Sequence, residues 1–196
     1  MNKFLEDNQH WLNFIVIVLL IIIILFIITP YLFRIFYFFE SKNKFKNLPS
    51  SSQIRLIYEL NDAVKFLAKN KVGAIITITK KKNLDNFRTD GTLIDSKISS
   101  ALILSIFKKN SPLHDGAIII EKDRIKYAAT YFKISSKSSI NKGSRHRAAL
   151  GISETTDSVT IVVSEERGIV SIAHLGRLYD VKIDDFPEKL NLLLLN

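Results

Sequence analysis

Residues 112–120 read Pro-Leu-His-Asp-Gly-Ala-Ile-Ile-Ile, a polar turn followed at once by an apolar run. The Asp-Gly pair favours a turn because glycine adopts a positive φ at little cost, and the apolar run predicts a strand at 117–120. His114 and Asp115 therefore lie at a strand edge, where an imidazole and a carboxylate can bind a divalent ion or activate a hydroxyl. Taken alone, the segment is more simply explained as an ordinary turn.

The next charged motif along the chain, Gly-Ser-Arg-His-Arg at 143–147, begins a helix predicted at 145–153. Ser144 is a good N-cap residue, and a helix N-terminus presents free N–H groups and a partial positive charge. Arg145 and Arg147 add guanidinium groups that suit bidentate contacts with phosphate. The motif favours an anion site, with a solvated basic turn or a nucleic-acid contact as the alternative.

A third motif, Ser164-Glu165-Glu166, follows a strand predicted at 159–163. Two carboxylates at a strand end can hold a metal ion or ribose hydroxyls, although a charged turn before Gly168 explains the motif more simply. The sequence contains no Walker A loop, no G-x-G-x-x-G motif and no nucleophile elbow. A nucleotide enzyme with this sequence therefore needs another phosphate-binding device.

Around these motifs, short β-rich runs alternate with helical periodicity. Apolar residues recur at intervals of three and four over 53–70, which predicts an amphipathic helix with Ser52 at its N-cap and Gly73 just beyond its end. A polar loop is predicted at 135–143. Further helices are predicted at 99–108, at 145–153 and from Pro187, and strands at 74–79, 117–120, 125–131, 159–163 and 169–173. The fold class is therefore α/β, with a mixed central β-sheet flanked by helices.

The N-terminal region contains an uncharged apolar segment at 11–33, longer than the about 20 residues that a membrane-spanning helix needs. Trp11 lies at one end and Tyr31 near the other, as aromatic residues do at membrane interfaces. A cleaved signal peptide is the main alternative, but the apolar region is too long and lacks a basic region before it. The sequence thus predicts one N-terminal transmembrane helix.

The charged residues that flank this segment predict its orientation. Lys3, Glu6 and Asp7 precede it, and four basic residues follow it: Arg34, Lys42, Lys44 and Lys46. The positive-inside rule places the C-terminal side in the cytoplasm, and the basic stretch can also bind anionic headgroups. We therefore expect a single-pass protein of the cell membrane, with a transmembrane anchor at 1–40, a linker at 41–52 and a cytoplasmic domain at 53–196.

Composition adds little to these motifs. The net charge of +9 suggests anionic partners such as nucleotides, nucleic acid or lipid, and a solvated lysine-rich surface explains it equally well. The absence of cysteine excludes disulfides and thiolate metal sites. A nucleic-acid-binding protein would also need stacking aromatics beside its basic clusters, whereas the aromatics here concentrate in the apolar N-terminal segment.

Four stretches of this sequence resemble the diadenylate cyclase family, and in particular its single-span membrane-bound members. They are 93–99 (LIDSKIS), 106–120 (IFKKNSPLHDGAIII), 143–154 (GSRHRAALGISE) and 155–171 (TTDSVTIVVSEERGIVS). The resemblance implies an enzyme that condenses two ATP molecules into cyclic di-AMP and releases two pyrophosphates. It also implies a homodimer, in which two protomers meet face to face for turnover. The alternative is a membrane-tethered sensor that binds adenine nucleotides without turnover.

The resemblance assigns roles around the family's DGA motif. Asp115, Gly116 and Ala117 would form the catalytic segment, with Asp115 activating the 3′-hydroxyl or holding a metal ion near it. His114 and Glu166 would join Asp115 as candidate ligands of Mn²⁺ or Mg²⁺. The sequence identifies neither the preferred metal nor a protein regulator.

The resemblance assigns nucleotide binding to the family's RHR motif. Ser144, Arg145, His146 and Arg147 would hold the triphosphate, and Tyr131 stands where family members place an aromatic residue near adenine. Two departures stand out. Ser144 replaces the usual threonine but keeps the hydroxyl, and Phe-Lys-Ile-Ser at 132–135 replaces the common Leu-Pro-Leu-Ser.

Overall fold

The computed structural model describes residues 2–40, 43–136 and 143–196. The chain forms two compact units, Met1–Ser41 and Lys42–Asn196. Most of the loop predicted at 135–143 lies outside the described residues, as do Ser41 and Lys42 of the predicted linker.

The first unit is one helix, α1 (Asn2–Glu40). Within it, Trp11–Phe33 has a mean hydropathy of 3.4 and no buried residue. This segment has the bounds predicted for the transmembrane helix, and among the described residues it is the one helix long and apolar enough to cross a membrane. The side chains at 2–10 and 34–40, which carry the flanking charges, are not described.

The second unit is built on a mixed sheet of eight strands, ordered β2-β5-β4-β1-β6-β7-β8, with β3 also paired to β5. The pair β1–β4 is parallel and the other pairs are antiparallel. The strands are β1 (Ala74–Ile78), β2 (Arg88–Thr89), β3 (Thr92–Lys97), β4 (Ala117–Glu121), β5 (Arg124–Phe132), β6 (Val159–Val163), β7 (Val170–His174) and β8 (Arg177–Val181). The predicted α/β class with a mixed central sheet is confirmed.

Helices cover both faces of this sheet because its central strands are apolar on both sides. Ile76 of β1 belongs to the large core cluster that α2, α3 and α5 cover, whereas Ile75 packs with Ile152 of α4 on the opposite face. The helices are α2 (Ser50–Lys69), α3 (Ser100–Phe107), α4 (Ser144–Thr155) and α5 (Phe186–Leu195).

Two predicted helix starts differ from the structure. Helix α2 begins at Ser50, with Pro49 at the N-cap position, so Ser52 lies inside the first turn rather than capping it. Helix α4 begins at Ser144, and Gly143 occupies the N-cap position with no side-chain cap. The Pro49 carbonyl accepts the Ser52 and Gln53 N–H groups at 2.9 and 3.1 Å, so α2 starts before the predicted serine cap.

The described part of the predicted linker is built into the second unit. The Phe45 side chain is 1% exposed and belongs to the core. Asn43 Nδ2 donates to the Leu194 carbonyl at 2.9 Å, and the Lys44 N–H donates to the Lys80 carbonyl at 3.0 Å. Residues from Asn43 onward therefore contribute to the folded unit instead of separating it from α1.

No strand was predicted between the strand at 74–79 and the helix at 99–108, yet β2 and β3 lie there, and strand β8 was also missed. These strands lie toward the edges of the sheet, and β3 and β8 leave most of their residues at least partly exposed. Edge strands need few apolar residues, so their sequences lack the strong signal of the buried strands.

Candidate functional site

The topology brings the predicted site segments to one end of the sheet. Strands β1 and β4 are parallel and begin at this end, while β6 runs antiparallel and finishes there, with Ala74 opposite Val163. Strand β5 also finishes there, because Ala117 pairs with Thr130. We call this end of the sheet, which carries Gly73, Asp115, Tyr131 and Glu165, the site end.

Asp115 lies exposed on the turn that precedes β4. Its Oδ1 accepts the Gly116 N–H at 3.0 Å, and its Oδ2 accepts the Tyr131 hydroxyl at 3.1 Å. The carboxylate stabilises the protonated phenol and so raises the pKa of Tyr131. The Tyr131 ring remains 44% exposed, so it can still contact a ligand.

Gly116 allows the turn to lie directly against β5. Its φ is +90°, and a Cβ at this position would lie 2.7 Å from the Thr130 carbonyl oxygen. Ala129 opposite adopts a φ of +53° where the β4–β5 register shifts. The Thr130 hydroxyl donates to the Ala117 carbonyl at 2.9 Å, which joins buried Ala117 to β5. The DGA segment is therefore held rigidly against the neighbouring strand.

His114 is half-buried beside this turn. Its Nδ1 lies 2.6 Å from the Ser111 carbonyl oxygen, which can only accept a hydrogen bond. The proton of a neutral imidazole is therefore on Nδ1, and Nε2 keeps a lone pair for a metal ion or a proton.

The second part of the site is a polar pocket of about 390 Å³ at the N-terminus of α4. Arg145 Nη1 pairs with Glu165 Oε2 at 2.6 Å. The guanidinium rests on Gly73, where an added Cβ would lie 2.8 Å from Arg145 Cζ. The lining residues are Gly143, Ser144, Arg145, His146, Val163, Ser164, Glu165, Glu166 and Arg167. Guanidinium and helix N–H donors thus line a concave surface, as an anion site requires.

Two residues of the RHR motif face different surroundings. His146 is buried, at 7% exposed, whereas Arg147 is exposed on the next position of α4. The Arg147 carbonyl accepts the Ser135 N–H at 3.0 Å, so the chain that leaves β5 runs along α4. Gly151 permits this approach, because a Cβ there would lie 2.1 Å from the Lys133 carbonyl oxygen. Residues 132–135, where Phe-Lys-Ile-Ser replaces the family's common Leu-Pro-Leu-Ser, therefore lie against α4.

The predicted metal ligands fall into two groups. His114 and Asp115 are neighbours on the β4 turn, while Glu166 lines the arginine pocket. Among the described residues, no three His, Asp or Glu side chains are placed to hold a metal ion together. Mg²⁺ and Mn²⁺ in nucleotide sites need only one or two protein ligands, because phosphate oxygens and water complete the coordination. The donor types present therefore fit a divalent ion bound together with a nucleotide.

A larger pocket lies elsewhere in the described part of the chain. It measures about 590 Å³, lies between α2 and strands β7 and β8, and has a mainly apolar lining. We place the site in the smaller polar pocket because phosphate recognition needs converging donors, which an apolar groove does not supply.

Sequence reasoning missed the role of Gly73 and the partner of Glu165 in this site. Gly73 was interpreted only as a helix stop, although it supports the Arg145 side chain. The pairing of Glu165 with Arg145 was also not predicted, because the two residues meet only after β6 and α4 have packed together.

The chain is similar to known proteins of one family. A sequence model of the DAC family, described as DisA bacterial checkpoint controller nucleotide-binding, matches residues 61–178. The chain is 43% identical over 145 residues to a diadenylate cyclase of Listeria monocytogenes, covering 73% of this chain and 52% of that protein. It is 43% identical over 130 residues to cyclic di-AMP synthase CdaA of Bacillus subtilis, covering 65% and 48%. The chain thus spans about half the length of these curated relatives.

Solved structures give the same result. The crystal structure of a DacA double mutant from Staphylococcus aureus has a TM-score of 0.72 and 39% identity, covering 75% of this chain and 100% of that one. A hypothetical membrane spanning protein from Bacillus cereus has a TM-score of 0.63 and 34% identity, covering 64% and 62%. The matched region includes the DGA turn, the arginine pocket and the strands that carry them, and the chain belongs to the diadenylate cyclase (DAC) family.

Proposed function

We propose that this protein is a diadenylate cyclase that converts two ATP molecules into cyclic di-AMP and two pyrophosphates. The observation that carries the proposal is the convergence of Asp115 and the arginine pocket on one sheet end, within a chain of this family. This arrangement offers a carboxylate for a ribose hydroxyl and cationic donors for phosphates on the same surface.

The triphosphate would bind at the N-terminus of α4. Arg145 uses Nη1 for Glu165, and its remaining N–H groups can donate to phosphate oxygens. Ser144 is exposed at the start of α4, and Arg147, three residues later, is exposed as well. These donors, with the free backbone N–H groups of the first helical turn, would orient the phosphates.

Asp115 would act on the 3′-hydroxyl. In each half-reaction the 3′-oxygen attacks the α-phosphorus of the opposite ATP, the bond to pyrophosphate breaks, and the hydroxyl proton passes to the Asp115 carboxylate. The Tyr131 hydroxyl and the Gly116 N–H each bond one oxygen of this carboxylate and so fix its orientation. The half-exposed Tyr131 ring would lie beside adenine.

His114, Asp115 and Glu166 are the residues that would hold Mn²⁺ or Mg²⁺. Glu165 and Glu166 place two carboxylates in the pocket that receives the triphosphate, and their charge opposes phosphate binding. A divalent ion would offset this repulsion and neutralise charge on the phosphates.

The proposed reaction needs two protomers, because the product contains two equivalent linkages and the chain carries one site. A two-fold axis between the bound nucleotides would supply both attacks. Specific activity should therefore rise with protein concentration while monomers predominate. Constant specific activity over a dilution series in which light scattering shows only monomers would contradict the face-to-face dimer.

We further propose that α1 anchors the protein in the cell membrane with the second unit in the cytoplasm. The length and apolarity of Trp11–Phe33 support the anchor, and the basic residues after it support the orientation. A soluble chain of residues 43–196 should then retain activity, because all proposed site residues lie in this compact unit.

The test is to incubate residues 43–196 with ATP and Mn²⁺ and to detect cyclic di-AMP by mass spectrometry. Asp115→Asn should fold and bind ATP but form almost no product, because it keeps the shape and loses the base. Asp184→Asn, at an exposed position of the same chain, is the matched control and should retain activity. If Asp115→Asn retains near-normal turnover, Asp115 is only a turn residue.

A further inference from the structure

The end of the sheet opposite the site end carries a second charged surface. Strand β1 ends there, because its last residue, Ile78, pairs with Val159 at the start of β6. Lys80, Lys81 and Lys82 follow β1 in the sequence. Strands β7 and β8 turn at this end as well, where His174 pairs with Arg177. We call the surface formed by Lys46, Lys81, Lys82 and Arg177 the lysine end.

The backbone beneath the lysine end is held in place by Asp157. Asp157 accepts the Lys81 N–H through Oδ2 and the Lys82 N–H through Oδ1, both at 3.1 Å. Lys81 and Lys82 are exposed, as are Lys46 and Arg177. Lys82 Nζ donates to the Thr155 carbonyl at 2.7 Å, and this neutral acceptor leaves its charge in place. Lys80 is buried instead, and its Nζ donates to the Leu193 carbonyl at 3.0 Å.

Two carboxylates near this surface are already engaged within the protein. Asp157 bonds the backbone of the turn, and Glu121 pairs with Lys44 at 2.8 Å. Asp157 keeps its negative charge, which the nearby Lys80 offsets. The four exposed cations of the lysine end therefore give this surface an excess of positive charge. Such a surface attracts phosphate-bearing partners.

An exposed apolar residue stands beside these cations. Leu175 is 65% exposed at the tip of the β7–β8 hairpin, between His174 and Gly176. A single aliphatic side chain flanked by basic residues suits the boundary between lipid headgroups and acyl chains. It does not suit a nucleic-acid surface, where aromatic side chains would stack on bases.

The chain also enters the folded unit at this end. The Lys44 N–H bonds the Lys80 carbonyl at 3.0 Å, and Phe45 is buried directly before Lys46. These residues follow α1 in the sequence, so the segment that continues from the proposed membrane helix is fixed to the lysine end. Because this segment follows the proposed membrane helix, we favour lipid over other anionic partners.

We propose that the lysine end binds the headgroups of anionic phospholipids. Lys46, Lys81, Lys82 and Arg177 contact the phosphates, and Leu175 inserts at the level of the headgroups. The interaction is electrostatic and weakens at high salt, because the screening length falls from about 8 Å at physiological ionic strength to about 3 Å at 1 M. The proposal rests on the membrane anchor but not on the proposed reaction.

The test is lysine labelling of the full chain in lipid nanodiscs, which leave the protein open to the reagent. Brief acylation followed by mass spectrometry measures each lysine in phosphatidylcholine discs with and without phosphatidylglycerol. Labelling of Lys46, Lys81 and Lys82 should fall several-fold in the anionic discs and recover at high salt. Lys65, Lys69 and Lys182, which line the pocket between α2 and β8, are internal controls and should label equally in both.

A Leu175→Ser variant tests the apolar contact, and inorganic phosphate tests whether the protection requires lipid. The variant should lose part of the protection in anionic discs, because the apolar contact is gone. Equal labelling in neutral and anionic discs would overturn the proposal, as would equal protection by inorganic phosphate without anionic lipid. Since labelling is read without turnover, its failure in a protein that makes cyclic di-AMP would leave the proposed function intact. A chain that does not enter nanodiscs would refute the anchor itself.

Discussion

Gly116→Ala tests whether the DGA turn is held in place by its contact with β5. The φ of +90° is strained for any residue with a Cβ, at a cost of about 1–2 kcal/mol. The new Cβ would also lie 2.7 Å from the Thr130 carbonyl oxygen and 3.0 Å from Ala129 C, which are backbone atoms. Overpacking of this kind adds about 1–3 kcal/mol. We expect Gly116→Ala to lower the free energy of unfolding by about 2–5 kcal/mol.

Urea unfolding of residues 43–196, followed by circular dichroism, measures this change. The matched control is Gly143→Ala, because Gly143 has a φ of −60° and its added Cβ would have no atom of the described residues within 4 Å. The control should change stability by no more than about 1 kcal/mol, the cost of alanine at an N-cap position. Product formation by Gly116→Ala should also fall sharply, since Asp115 moves with the turn. A change within the error of the control would refute the close contact between Gly116 and β5.

Three further predictions follow from single contacts. Phe45→Ala should lower the free energy of unfolding of residues 43–196 by about 3–5 kcal/mol in urea titrations, whereas a flexible linker would tolerate it. Arg145→Ala should weaken ATP binding by about 1.5–3 kcal/mol in calorimetry, and an unchanged affinity would place the phosphates elsewhere. Burial lowers the pKa of His174, so the folded protein binds fewer protons than the unfolded chain. Stability should therefore fall as the pH drops from about 6.5 through the folded pKa, and His174→Gln should flatten this dependence in thermal melts.

The central strands and the site motifs could be predicted from the sequence because their signals are local. Ile118–Ile120 are apolar in succession since both faces of β4 are covered, and the Asp-Gly pair before them needs a turn. The edges of the sheet could not be predicted in the same way. Strand β8 (Arg-Leu-Tyr-Asp-Val) mixes charged and apolar residues because it is partly exposed, and its pairing with β7 makes it a strand.

Contacts between segments that are distant in the sequence could not be predicted either. Phe45 stands among lysines and asparagines, so its neighbours suggested a linker, whereas its burial depends on α2 and the sheet. Similarly, Arg145 was recognised as a phosphate ligand by type, but its position is set by Glu165 and Gly73 from other segments. Candidate site residues could thus be proposed from their types, while their geometry required the fold.

The most direct test of the central claim is the balance of products formed from ATP by residues 43–196 with Mn²⁺. Cyclic di-AMP and pyrophosphate are quantified together as ATP is consumed. We predict one cyclic di-AMP for every two pyrophosphates, with no product from Asp115→Asn under the same conditions. A folded protein that binds ATP and returns it unchanged would contradict the account and identify the chain as a nucleotide sensor.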